Sequence, residues 1–196
     1  MQPSIWFEIT KIFVTCGAGF LAGITVPITL RWLTRRFLGP KITVAFDADE
    51  VPAVAGSSSN PRVYFRAKIR NVKSHVAREC RPYLTKIELV GSRGPIQSVL
   101  DETFQLGWSY DDKRDALDLP RGPHPTVDVA VYERDQPLFY PCLRGGGLPT
   151  KFNGIFSSIG TCRFTVLVTG HDVDPELLTF EVSYDGKNWP PAGKVV

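Results

Sequence analysis

The chain is poor in the residues and motifs on which most enzymes and metal proteins depend. It has three histidines, His75, His124 and His171, which lie about 50 residues apart in predicted loops, and it has no Gly-x-Ser-x-Gly nucleophile motif. Its four cysteines form no Cys-x-x-Cys pair and have no histidine at ligand spacing, which argues against a zinc site. We therefore expect no catalytic residue, no metal site and no cofactor.

Most of the chain also lacks a net charge. Of the 23 basic and 20 acidic residues, four basic and one acidic lie before Phe37, which leaves 19 of each sign from Phe37 to Val196. Because binding to nucleic acid phosphates requires a basic surface, we do not expect a nucleic acid partner. The pI of 8.7 thus reflects only the N-terminal segment.

A long uncharged run is the most prominent positive feature. Ile12 to Leu30 are nineteen residues without a charged side chain, between Lys11 and Arg31. As a helix they would span about 28 Å, close to the thickness of a bilayer's hydrocarbon core. A cleaved signal peptide is the alternative, but its apolar region is usually shorter and is followed by a small-residue cleavage site. The run predicts an uncleaved transmembrane helix over 12–33.

Flanking charges predict the orientation of this helix. Arg31, Arg35 and Arg36 follow it, whereas Lys11 and the terminal amine precede it together with Glu8. The positive-inside rule then places the larger domain in the cytoplasm, with a periplasmic or extracellular location as the alternative.

Cysteine usage fits a cytoplasmic location. Cys16 lies in the span, while Cys80, Cys142 and Cys162 lie in the domain, where a reducing compartment would keep them as small core residues. A domain facing outward would be expected to have one disulfide and one free thiol.

Small residues recur on one face of the predicted helix. Thr15, Gly19 and Gly23 are spaced by four, which is the small-xxx-small pattern that lets helix backbones approach closely. This face is a candidate for helix packing in a homo-oligomer or against another membrane subunit. Glycine is common in membrane helices, so the spacing also occurs without any such role.

Alternating apolar and polar residues dominate the rest of the chain. The clearest case is Val63 to Arg70, whose odd positions are apolar and whose even positions are polar. We also predict Tyr83, Ile87 and Leu89 as core residues in a strand over 80–90, and Val127, Val129 and Val131 as inward-facing. Further strands are predicted over 41–46, 162–169 and 177–184, with weaker strand sequence over 97–108. Seven to nine short strands separated by Gly and Pro predict an all-β antiparallel sandwich.

The stretch from Val63 to Leu84 resembles a pattern in prokaryotic membrane-anchored proteins of uncharacterised function. The pattern reads V-x-N-x-G-x-x-x-A-x-x-C-x-x-x-L and is matched here by Ile69, Asn71, Ala77, Cys80 and Leu84, although Lys73 or Ser74 replaces its glycine. Further matches are Trp108, Leu119-Pro120-Arg121-Gly122 and Val127-Asp128-Val129. The resemblance covers about 70 residues. It implies an immunoglobulin-like sandwich beside a membrane helix and implies no activity.

The matched residues also have a direct physical interpretation. Asn71 can close a turn with its side chain, and Ala77 and Cys80 are small enough for a position where the chain crosses the sandwich edge. We expect structural roles for them.

Three polar clusters are candidates for binding. Arg66, Lys68 and Arg70 form a basic row that could dock an acidic partner or anionic lipid, although such a row is ordinary on an outer sheet face. The loops over 111–125 and 137–154 could bind a small ligand. The Asp172–Glu176 segment could bind an ion, but it lacks the EF-hand pattern, and a solvated connection is the simpler interpretation.

The sequence predicts the following organisation: a tail over 1–11, the transmembrane helix over 12–33, a basic linker over 34–40, the sandwich over 41–190 and a C-terminal tail over 191–196. The function that fits best is a non-enzymatic single-span membrane protein. Its sandwich would be an interaction or accessory module, in one form a small subunit of a larger membrane complex. The alternatives are an anchored sensor of a small ligand or ion and an anchored enzyme.

Overall fold

A computed structural model of the protein describes most of the region after the uncharged run. The described residues are 39–46, 53–55, 62–90, 97–100, 102–109, 111, 113–122, 125–133, 139–145, 160–187 and 191–196. The predicted helix over 12–33, including Thr15, Gly19 and Gly23, and the basic residues Arg31, Arg35 and Arg36 lie outside them. In the part of the chain that is described, no helix is long and apolar enough to cross a membrane. The described residues from Pro40 onward belong to one compact unit.

Twelve strands make up the described secondary structure, and no helix is present among these residues. The strands are β1 Ile42–Phe46, β2 Ala53–Ala55, β3 Arg62–Asn71, β4 Ala77–Val90, β5 Gln97–Leu100, β6 Phe104–Gln105, β7 Leu117–Leu119, β8 Thr126–Glu133, β9 Phe139–Pro141, β10 Gly160–His171, β11 Val173–Tyr184 and β12 Ala192–Val195.

All strand pairs are antiparallel, and they form two sheets. The smaller sheet has the order β1-β3-β8-β9, with β2 also paired to β3. The larger sheet has the order β12-β11-β10-β4-β5, with β6 and β7 also paired to β4. The apolar faces of both sheets contribute to one hydrophobic core, so the prediction of an all-β, sandwich-like fold is confirmed.

Aromatic rings join the two sheets. Phe46 from the smaller sheet stacks on Phe180 of the larger sheet, with ring centroids 4.5 Å apart and planes 6° apart. Phe164 lies 5.6 Å from Phe180 on the neighbouring strand. Gly193 completes this contact, because a Cβ at that position would overlap the ring of Phe46. Burial of each ring contributes roughly 1.5–3 kcal/mol relative to exposure.

The alternation in β3 is confirmed, since Val63, Phe65, Ala67 and Ile69 are buried and the residues between them are not. Two other assignments are wrong because β-bulges change the parity. In β4, Thr165 pairs with Lys86 and Val166 with Leu84, so Thr85 is an extra residue. Leu84 is therefore buried in place of Tyr83, while Ile87 remains in the core and Leu89 packs against it.

The second bulge lies in β8. Phe65 pairs with Ala130 and Arg66 with Asp128, which leaves Val129 as the extra residue. Val127 and Val129 are buried as predicted, but Ala130 and Tyr132 then occupy the core and Val131 does not. A one-residue insertion thus moves every later side chain to the opposite face.

Short strands correct the predicted boundaries. Residues 191–196, assigned to a tail, contain β12, which pairs with β11. The polar connection over 111–125 contains β7, and the Asp172–Glu176 segment contains the start of β11. Pairing with a long neighbour, rather than local sequence, stabilises strands of three or four residues.

The structural roles predicted for the patterned residues are confirmed. Asn71 is 2% exposed, and its amide nitrogen donates to the carbonyls of His75 at 2.6 Å and Leu119 at 2.8 Å. Its side-chain oxygen accepts from the Lys73 N–H at 3.1 Å, which closes the turn after β3. Ala77 and Cys80 are fully buried at the start of β4, between β7 and β10.

Candidate functional site

The outer face of the larger sheet has the most organised set of polar side chains among the described residues. Arg163 on β10 pairs across the strands with Glu181 on β11 and Glu88 on β4, and Glu181 pairs with Lys194 on β12. Directly paired residues share one face of a sheet, so these side chains form a row across four strands. We call this row the charge ladder.

Close contacts hold the ladder together. The Arg163 guanidinium donates to one Glu181 oxygen from Nε at 3.1 Å and from the terminal nitrogen at 2.7 Å. Lys194 lies 3.1 Å from the other Glu181 oxygen, and Lys86 contacts Glu88 at 2.5 Å. Hydrogen bonds from Arg163 and then Lys194 lower the pKa of Glu181, whose side chain is only 9% exposed. The ladder is therefore a largely satisfied network, which suits a stabilising role.

A row of polar side chains lies between the charge ladder and a row of apolar side chains. Thr165 and Thr179 are cross-strand partners, and their hydroxyls lie 3.2 Å apart. One row further, Leu167 pairs with both Leu177 and Tyr83. Leu167 and Tyr83 are half-buried, but Leu177 is 63% exposed. We call Tyr83, Leu167 and Leu177 the apolar row.

The apolar row is unusual for its position. Outer faces of sandwich sheets normally carry polar residues, as the ladder and the threonine row do here. The Leu177 side chain is the most exposed of the large hydrophobic side chains in the described part of the chain. Protein interfaces commonly have an apolar centre and a polar rim, and the apolar row with the nearby charge ladder has this arrangement.

The basic row predicted on β3 is on the outer face of the smaller sheet. Its alternation places Arg66, Lys68 and Arg70 on one side of the strand. Arg66 is engaged there, since its Nε donates to Asp128 at 2.6 Å and its guanidinium lies over the Tyr64 ring at 5.5 Å. Ser109 donates to the same Asp128 oxygen at 2.7 Å. A docking role for this row stays a prediction, and Arg66 contributes less free charge than the sequence suggests.

The acidic segment over 111–118 is largely bound to its own neighbours. Asp111 pairs with Arg114 at 2.8 Å, Asp115 pairs with Arg144, and an Asp118 oxygen accepts from the Glu79 N–H at 2.9 Å. Arg144 also donates to the Lys113 carbonyl at 3.3 Å. These contacts join the two predicted ligand loops to each other. Ligand binding by these loops stays a prediction.

In the described part of the chain, the side chains that could act in catalysis or bind a metal ion are dispersed. Among the described residues, no group of three His, Cys, Asp or Glu side chains is placed to hold a metal ion. His171 contacts Asp172 at 2.9 Å, and His75 lies in the turn after β3. His124 lies outside the described residues, as does Asp112.

The three thiols of the domain are free. Burial raises the pKa of Cys80 to about 11 and the pKa values of Cys142 and Cys162 to about 12. Because the thiolate is the nucleophile, these groups are protonated and weakly reactive at neutral pH.

Trp108 is a buried residue with an unsatisfied hydrogen-bond donor. It is 2% exposed, and its indole N–H has no hydrogen-bond partner among the described residues. Its backbone bridges to Asp111 and to Val127, which ties the acidic segment to β8.

Sequence reasoning found the basic row and the acidic segment but missed the apolar row and the charge ladder. Their members are separated by up to about 100 positions in the chain, and only the pairing of β4, β10, β11 and β12 brings them together. The exposed Leu177 at the start of a predicted strand was the one available signal. The chain matches no protein-family model and no curated protein.

Proposed function

We propose that this protein is a non-enzymatic, single-span membrane protein whose β-sandwich is an interaction module. The uncharged run from Ile12 to Leu30 supports the anchor. The apolar row supports the interaction, and the 63% exposure of Leu177 is the observation that carries the proposal. A side chain this apolar and exposed, aligned with two further apolar neighbours, is stabilised when a partner covers it.

The proposed module is immunoglobulin-like. Two antiparallel sheets share one core, and the chain passes from the smaller sheet to the larger between β3 and β4 and returns at β8. Domains of this type bind partners with sheet faces as well as loops. Through the apolar row on the outer face of its larger sheet, the protein would bind a larger membrane complex as an accessory subunit. The Thr15–Gly19–Gly23 face of the span would form a second contact with that complex.

The free thiols support a cytoplasmic location for the sandwich. Cys80, Cys142 and Cys162 form no disulfide, as expected in a reducing compartment. The arginines after the uncharged run favour the same orientation.

The test is co-purification of the full chain with its partner in mild detergent after chemical crosslinking. The Leu177→Glu variant should reduce the yield of crosslinked partner about tenfold or more. The reason is that the new carboxylate would be buried at the centre of the interface without a basic partner. The fold should remain intact, because position 177 is on the surface.

A matched control is Val195→Glu. Val195 is 54% exposed but pairs with Phe180, so its side chain belongs to the opposite face of the sheet. This variant should retain the partner. Equal retention by both variants, or a native chain that purifies alone as a monomer, would refute the proposed interaction.

A further inference from the structure

One end of the sandwich combines exposed apolar and basic side chains. The turn between β3 and β4 contains Val72 and Val76, which are 37% and 42% exposed. These are two of the five large hydrophobic side chains that are exposed in the described part of the chain. We call residues 72–76 the valine turn.

The valine turn lies where the chain enters the sandwich. The Val72 N–H donates to the Lys41 carbonyl at 2.9 Å, and Ile42 at the start of β1 pairs with Asn71. Ten residues lie between Leu30, the last residue of the uncharged run, and Lys41, so a short segment of sequence joins the run to this end of the sandwich.

The turn is held in a fixed shape. Buried Asn71 hydrogen-bonds the Lys73 N–H and the His75 carbonyl within the turn, and it also bonds the Leu119 carbonyl outside it. Both valines are therefore presented on a preformed loop, which lowers the entropic cost of inserting them into an apolar layer.

More basic than acidic residues lie at the same end of the sandwich as the valines. Arg78 follows the turn and pairs with His171, so the β10–β11 connection is at the same end. The basic residues at this end are Lys41, Arg70, Lys73, Arg78 and Arg121, and the acidic ones are Glu79, Asp118, Asp172 and Asp174. Of the acidic residues, Asp118 accepts from the Glu79 N–H and Asp172 contacts His171.

We propose that the valine turn is a membrane contact that inserts Val72 and Val76 into the headgroup layer of an anionic bilayer. Lys41, Arg78 and Arg121 would then contact lipid phosphates, at about 1 kcal/mol for each basic residue near an anionic surface. The contact would fix the orientation of the sandwich on the membrane. This inference rests on the proposed anchor.

Photo-crosslinking to lipids tests the contact in the full chain. The protein is reconstituted in phosphatidylcholine vesicles that contain a photoactivatable phosphatidylglycerol or a photoactivatable phosphatidylcholine, and adducts are mapped by mass spectrometry. We expect adducts on residues 72–76 with the phosphatidylglycerol probe and several-fold fewer with the phosphatidylcholine probe. Arg78→Glu should reduce the adducts about fivefold or more, which is the fold-change that corresponds to the loss of about 1 kcal/mol from one basic residue.

Two further variants sharpen the test. Val76→Asp should nearly abolish the adducts, whereas Lys187→Glu, a charge reversal at an exposed position beyond the end of β11, should leave them unchanged. Equal adducts with both probes, no adducts on the turn, or crosslinks from the turn to a second protein would overturn the inference. Release of the chain by alkaline carbonate would instead refute the anchor, so the two failures are distinguishable.

Discussion

The two faces of the larger sheet are built by the same strands and have different roles. On the inner face, Phe164, Val166 and Phe180 are fully buried in the core that the two sheets share. On the outer face, the residues between them form the charge ladder, the threonine row and the apolar row. Because neighbouring residues in a strand point to opposite sides, one sequence encodes both a core and a surface. The inner face determines stability, and the outer face is where a function has to be sought.

The largest expected effect comes from the inner face. Phe180→Ala should lower the free energy of unfolding by about 3–5 kcal/mol, because it removes a ring that contacts both Phe46 and Phe164 and leaves a cavity. Urea denaturation followed by circular dichroism measures the loss. The paired control, Leu177→Ala on the outer face, should change stability by less than about 0.5 kcal/mol. Similar losses for both variants would refute the separation of roles.

A second prediction concerns close packing against the inner face. Gly193→Val should destabilise the fold by about 1–3 kcal/mol, since the new side chain overlaps the Phe46 ring. Ala192→Val, one residue earlier and exposed, is the control and should be nearly neutral. Thermal melts of the two variants test this, and a Gly193→Val protein as stable as the native chain would contradict the packing.

The smallest effect is expected for the charge ladder. Arg163 and Lys194 lower the pKa of Glu181 in the folded chain, so its contribution to stability is complete above its ordinary pKa of 4.5. That contribution is lost as the pH falls below 4.5 through the lowered, folded-state pKa. Glu181→Gln should lower the melting temperature at neutral pH by only about 2 °C and should flatten the acid side of the pH profile. An unchanged acid limb would show that the ladder adds nothing to stability.

The sequence was sufficient to identify the core-facing side chains of both sheets wherever the alternation was regular. In β3 it identified Val63, Phe65, Ala67 and Ile69 correctly. It failed at Tyr83 and Val131, because the bulges at Thr85 and Val129 arise from how two strands pair and leave no mark in either strand alone. A single inserted residue reverses which side chains face the core, but the segment remains a strand.

The outer face could not be predicted for a related reason. Leu167 and Leu177 are ten positions apart, but Tyr83 joins them only through the register between β4 and β10. Glu88 and Lys194 likewise reach the ladder from strands that are about 100 positions apart in the chain. Register between distant strands depends on the whole core, so a pattern within one strand does not contain it.

Photo-crosslinking from position 177 is the most direct test of the proposed interaction face. A photoreactive amino acid placed at Leu177 in the full chain, irradiated in native membranes, should give one discrete crosslinked product that is absent when the same residue is placed at Lys187. Discrete products of equal yield from both positions, or no product from position 177, would contradict the assignment of the apolar row as the site that a partner covers.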